Sequence, residues 1–159
     1  MDPESFTDIM RHHASTVVVL TVGEAGNQAG MTATSFTSVS LDPPLVLVCV
    51  ARTASTWSVL SATDRMRIHV LGDGAQDLAR RFAAPGGDRF THPAMRLDDG
   101  QVTIAGALAW LECAVVDRIP AGDHHIVLAA PTKGELLGNE HGPLVYHDRR
   151  YASVRSPGS

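Results

Sequence analysis

Residues 30–51 read GMTATSFTSVSLDPPLVLVCVA, and they divide at a proline turn. In the first half, 31–41, a period of two puts Thr32, Thr34, Phe36, Ser38 and Ser40 on one face. Met31, Ala33, Ser35, Thr37, Val39 and Leu41 take the other. The pattern is that of a β-strand, but neither face is simply apolar. Asp42-Pro43-Pro44 makes the turn, since prolines lack the donor that continues a ladder. The second half, 45–51, is apolar without alternation, as in a strand buried on both faces. A hydroxyl-lined strand beside a buried one points to a core that holds a polar ligand.

The whole chain has 159 residues, 44% of them hydrophobic and 19% charged, which is enough for one domain with a sizeable core. That domain is expected over 1–154, with 155–159 as a disordered tail. A net charge of −4 gives no attraction to nucleic acid or to acidic membranes. The longest apolar run, 45–51, is far too short to span a bilayer, and no signal-peptide pattern opens the chain. The expected location is cytoplasmic. Cys49 and Cys113 lie in apolar, strand-like segments and read as small buried hydrophobes rather than a disulfide. Eight histidines, among them His12-His13, His69, His92, His124-His125, His141 and His147, show no HExxH or Cys/His metal spacing.

Around the opening stretch, 5–14 reads as an amphipathic helix with Phe6, Ile9 and Met10 on one side and Asp2 or Ser5 as cap. A strand at 16–22 and the GEAGN turn follow. A helix over 57–60 has Thr53 or Ser55 as its cap. The segment 65–71 alternates Met66, Ile68 and Val70 against Arg65, Arg67 and His69, a half-buried strand. A helix at 75–84 turns Leu78, Ala79 and Phe82 inward, and 88–100 reads as a long surface loop. Strands are expected at 107–119 and 124–137, the second broken near Pro131, then a loop at 138–142 and a last strand or hairpin at 143–153. Strands outnumber helices and hairpin spacings dominate. The fold class is therefore mainly β, an antiparallel barrel with peripheral helices.

Three places can carry chemistry. After the third strand, Arg52 offers a permanent charge and Thr53, Ser55 and Thr56 offer hydroxyls at a helix start, the combination a phosphate needs. A capped helix with a solvated arginine accounts for the same residues. In Gly122-Asp123-His124-His125 a glycine permits a tight turn and an aspartate can orient an imidazole, although an ordinary hairpin turn would look alike. The third is Asp88-Arg89-Phe90, which a surface ion pair would also explain. There is no nucleophile elbow, P-loop or GxGxxG fingerprint.

In order and content these pieces resemble the short flavin reductases, whose fold is the FMN-binding split barrel. The resemblance is carried by VVVLT at 17–21, the block at 30–50, Ser55-Thr56, DLARRF at 77–82, Asp88-Arg89-Phe90, GALAWLEC at 106–113, Gly122-Asp123-His124 and PLVY at 143–146. It implies that Thr32, Ala33, Thr34 and Ser35 contact the flavin ring and ribityl chain, with Cys49, Val50 and Ala51 beside the ribityl. Arg52, Ser55 and Thr56 are implied to take the phosphate, and Phe82 and Arg89 to add flavin contacts. His124, oriented by Asp123 on the turn of Gly122, is implied to hold the nicotinamide. His125 departs from the family pattern, so either imidazole can face the site.

The function implied is an NAD(P)H:flavin oxidoreductase that passes hydride from NADH or NADPH to FMN or FAD. Its reduced flavin would serve a separate monooxygenase, and the chain is expected to form a homodimer. The alternative is a flavin-binding or storage protein without nicotinamide turnover.

Overall fold

A computed structural model describes residues 1–24, 26–98, 101–138 and 142–154, with 97, 98 and 101 described by backbone alone. The expected tail at 155–159, Ala25 of the GEAGN turn, and the loop residues 99–100 and 139–141, including His141, lie outside the described residues.

The first helix, α1 (Pro3–Met10), starts earlier than its apolar spacing predicts, because Asp2 caps it by accepting from the Ser5 N–H at 2.9 Å. It buries no residue, and its apolar side chains Phe6, Ile9 and Met10 remain exposed. Two strands follow, β1 (Ser15–Thr16) and β2 (Val18–Val22), then β3 (Ala29–Ala33), β4 (Thr37–Leu41) and β5 (Pro44–Ala51). The stretch 31–41 is thus not one strand: residues 34–36 leave the ladder between β3 and β4. Nor is β5 buried on both faces. Val46, Val48 and Val50 enter the core while Leu45, Leu47, Cys49 and Ala51 are only half-buried, the alternation of an antiparallel strand with one inner face.

Next come α2 (Ser55–Leu60), β6 (Arg65–Leu71) and α3 (Gln76–Ala83). The cap of α2 is Ala54, with no side-chain hydrogen bond, rather than Thr53 or Ser55. The expected loop at 88–100 ends in a strand, β7 (Met95–Asp98), which pairs with β8 (Gln101–Ile104). The long hairpin β9 (Ala107–Ala121) and β10 (His124–Leu136) turns on Gly122-Asp123, and its register shifts between Pro131 and Lys133. The hairpin β11 (Leu144–His147) and β12 (Arg150–Ser153) packs with β1.

Seven antiparallel strands form the main sheet in the order β3-β2-β6-β9-β10-β5-β4. Consecutive β3 and β4 therefore stand at opposite edges, and the non-ladder residues 34–36 carry the chain across. The sheet curls around Val18, Leu20, Val48, Val50, Ile68, Cys113 and Val127 without its edges pairing, the split-barrel arrangement. A second core, with Val17, Val19, Leu71, Leu78, Phe82 and Ile104, lies outside it under α3 and β8. That outer core corrects the reading of β6: its polar face is covered in part, with Arg65 exposed, Arg67 half-buried and His69 completely buried. Cys113 is buried, which pushes its thiol up to about 11, and both cysteines are free. Among the described residues no helix is long and apolar enough to cross a membrane.

Candidate functional site

At the crossing between β3 and β4, Ser35 replaces ladder pairing with side-chain bonds. Its Oγ accepts from the Cys49 N–H at 2.9 Å and donates to the Cys49 carbonyl at 3.2 Å. The hydroxyl stretch is thereby fastened to β5, near the strand's end. Across the β5–β10 ladder Cys49 faces Ile126, Val50 faces His125 and Ala51 faces His124. Residues directly opposite in an antiparallel pair share a face. His124 therefore lies on the outer face with Ala51 and Cys49, whereas His125 lies on the inner face with Val50.

The contacts of the two imidazoles agree with that assignment. His125 stacks on Trp57 of α2, with ring centroids 3.8 Å apart and planes 8° from parallel. His124 keeps its Nδ1 2.7 Å from an Asp123 carboxylate oxygen, and its side chain is 43% exposed. The hydrogen bond from His124 is the first cause holding the Asp123 carboxyl below its usual range, with a smaller contribution from Arg52. A carboxylate only accepts, so it fixes the Nδ1–H tautomer and leaves Nε2 for a ligand. The turn also reaches the anion cluster directly, for the Arg52 N–H donates to the Asp123 carbonyl at 3.0 Å.

The cluster after β5 is built around a carbonyl that composition does not flag. Gly30 O accepts from Thr56 Oγ1 at 3.0 Å and from Arg89 Nη1 at 2.7 Å. Arg89 also reaches Ser55 Oγ at 3.3 Å and the Ala84 carbonyl at 2.8 Å. Ser55 and Arg89 thus converge across 34 residues of sequence. Gly30 itself has no room for a side chain, since a Cβ there would stand 2.6 Å from the Phe82 ring and 2.9 Å from the Leu20 carbonyl. A glycine inside a strand is the signal that could have marked this close approach.

Several expected contacts are committed elsewhere. The Thr32 hydroxyl donates to the Ala79 carbonyl of α3 at 2.6 Å. Thr56 is buried with its hydroxyl on Gly30. The rings and methyls of Phe82, Val50 and Ala33 are buried, and Phe82 packs edge-on against Phe90. Thr34, Arg52 and Ser55 are exposed. The donor set fits a phosphate-bearing ligand. The guanidinium of Arg52 makes no hydrogen bond to a described residue, and Arg89 Nε is buried without a partner. Two cavities, of about 390 and 610 Å³, lie around Arg67 and Glu112, and none of the residues named above lines either. Ser35, Cys49, Ala51 and His124 along the strip are half-buried.

A family model described as flavin reductase like domain matches residues 10–155. The chain is 37% identical over 147 residues to the NADH:FMN oxidoreductase of Rhodococcus qingshengii, an alignment covering 89% of this chain and 77% of that one. It is 33% identical over 152 residues to the reductase component of the 4-nitrophenol 4-monooxygenase/4-nitrocatechol 2-monooxygenase of Rhodococcus opacus, with 95% and 80% covered. Among solved structures, the NADH:FAD oxidoreductase of Streptomyces globisporus C-1027, in complex with NAD and FAD fragments, is similar with a TM-score of 0.90. Its sequence is 33% identical, and the match covers 100% of this chain and 98% of that one.

Proposed function

The chain belongs to the flavin reductase like family, and from that premise we propose how its residues perform the family's reaction. It is an NAD(P)H-dependent flavin oxidoreductase that reduces FMN or FAD and supplies a separate monooxygenase component. The observation that carries the proposal is one continuous strip. It joins the Arg52–Ser55–Arg89 cluster, the hydroxyl stretch tied through Ser35 to Cys49, and the Asp123–His124 pair.

When bound, the flavin supplies the electron-accepting ring and the nicotinamide the hydride. The chain's part is to bind and orient them. Arg52, Arg89 and Ser55 present charge and donors to the flavin phosphate. The backbone at 32–35, with the Thr34 hydroxyl, offers donors along the ring and ribityl chain. Thr32 and Thr56 act one layer behind, holding α3 and α2 against β3. His124 offers Nε2 to the nicotinamide while Asp123 fixes its ring. No protein group has to carry a proton for hydride transfer, so holding two rings in van der Waals reach is the main demand on the site.

The strip borders an apolar outer face, with Leu47, Ile126 and Leu128 half-buried and Ile119 at 43% exposure. We assign this face to a second copy of the chain, which would wall the site in a homodimer. The function is tested by following NADH and NADPH oxidation at steady state with and without added flavin, using cytochrome c to trap reduced flavin in solution. Oxidation that requires added FMN or FAD and reduces cytochrome c is expected. Flavin bound with neither nicotinamide consumed would leave a storage protein.

A further inference from the structure

A helix of six residues cannot hold its own conformation in water, so the place of α2 is set by what it touches. Besides its apolar packing into the core with β2, it is held to three strands by hydrogen bonds or a ring stack. At its start the Thr56 hydroxyl binds Gly30 of β3 at 3.0 Å. At its end Arg118 of β9 donates to the Leu60 carbonyl at 3.2 and 3.1 Å and to the Thr63 carbonyl. In between, Trp57 lies flat on His125 of β10 at 3.8 Å. The first two are hydrogen bonds to backbone carbonyls. The third is a face-to-face contact of two rigid rings, which fixes both separation and tilt.

The stack's position in the chain gives it consequence. Trp57 is two residues after Ser55, and His125 directly follows His124, in the turn whose Asp123 carbonyl accepts from the Arg52 N–H. We propose that Trp57 and His125 form a positioning pair: by holding α2 against β10 they set the phosphate-binding Ser55 relative to the nicotinamide-binding His124. Binding at Ser55 and at His124 is thereby coupled, because a loosened α2 must be ordered again at the expense of either ligand. His125 projects from the inner face of β10, opposite to His124, and Trp57 stacks on it there. The inference rests on the roles given above to Ser55 and His124.

The test uses the full chain and four measurements: affinity for FMN and for riboflavin by quenching of flavin fluorescence, KM and kcat for NADH, and the thermal midpoint. His125→Ala is expected to weaken FMN by about three- to tenfold, the worth of one aromatic pair. Riboflavin, which has no phosphate, should change by less than about twofold. KM for NADH should rise by about the same factor as FMN weakens, with kcat within about twofold. His125→Phe keeps a flat ring and should restore all of these. Should His125→Ala fail to fold, Trp57→Leu against Trp57→Phe gives the same contrast from the other ring. A lowered thermal midpoint with FMN, riboflavin and KM unchanged would overturn the pair as a positioning device. So would a folded His125→Phe that rescues nothing. Wild-type protein that neither binds FMN nor oxidises NADH would instead overturn the flavin reductase reading beneath it.

Discussion

Arg52 and Arg89 differ in how the fold holds them. Arg89 is tied to Gly30, Ser55 and Ala84, so it serves as framework as well as charge. Arg52 is exposed, and its side chain makes no hydrogen bond to a described residue. Arg52→Ala should therefore act on the ligand and hardly on the fold. A charge-assisted hydrogen bond contributes about 1.5–3 kcal/mol, and exposure places Arg52 at the lower end, so FMN should bind roughly tenfold more weakly. Titration of the variant with riboflavin should give nearly the wild-type constant. Unchanged FMN affinity would remove Arg52 from the site. At this scale the Gly122-Asp123-His124 turn was legible, because a glycine turn, a carboxylate and an imidazole interact within three residues. The hydroxyls were less so. A threonine that serves a ligand is identical in sequence to one that serves a backbone carbonyl 26 or 47 residues away, as Thr56 and Thr32 do.

Among the elements, β3 and β4 show how a periodic pattern can run through a break. Alternation continues across Thr34, Ser35 and Phe36, yet Ser35 trades its place in a ladder for two bonds to Cys49 on another strand. Periodicity reports which residues could share a face, not which strand the backbone pairs with. The same limit explains β5, whose unbroken apolar run suggested two buried faces. Its outer apolar residues are half-buried and border the site. It also explains β6, where the Val102 carbonyl of the hairpin at 95–104 meets Arg67 and His69 while Arg65 stays exposed. The strands at 18–22 and 65–71 and the turn at Gly122-Asp123, by contrast, were readable from glycine and β-branched clusters, whereas the hairpin at 95–104 was not. Ser35→Ala tests the crossing: losing both bonds to Cys49 should destabilise the protein by about 1–3 kcal/mol, read as a lower urea midpoint. A midpoint equal to wild type would mean that the crossing is held by other contacts.

For the molecule as a whole, acid stability has an identifiable source in His69. The residue is completely buried, with Nε2 3.1 Å from the Val102 carbonyl and Nδ1 3.4 Å from that of Val19. Burial pushes its pKa down from 6.5 to about 4, outweighing those two carbonyls. Below about pH 6.5 the unfolded chain takes up a proton that the folded chain refuses, so stability falls as pH drops toward 4 and then levels off for this group. The loss is on the order of 3 kcal/mol. Urea midpoints at a series of pH values should show this slope in wild type and lose it in a folded His69→Leu variant. A slope kept by that variant would assign the acid sensitivity to other groups.

Two strand edges joined by residues 34–36, with a cation cluster and an imidazole turn beside them, make a device for bringing a nicotinamide onto a flavin. That claim is tested most directly by mixing FMN-loaded protein with NADH or NADPH in an anaerobic stopped-flow instrument. The account predicts that visible flavin absorbance bleaches with at least one nicotinamide, at a rate that saturates with its concentration. In His124→Ala, FMN should stay bound while half-saturation moves to higher nicotinamide. Bound flavin whose absorbance persists with both nicotinamides would contradict the account.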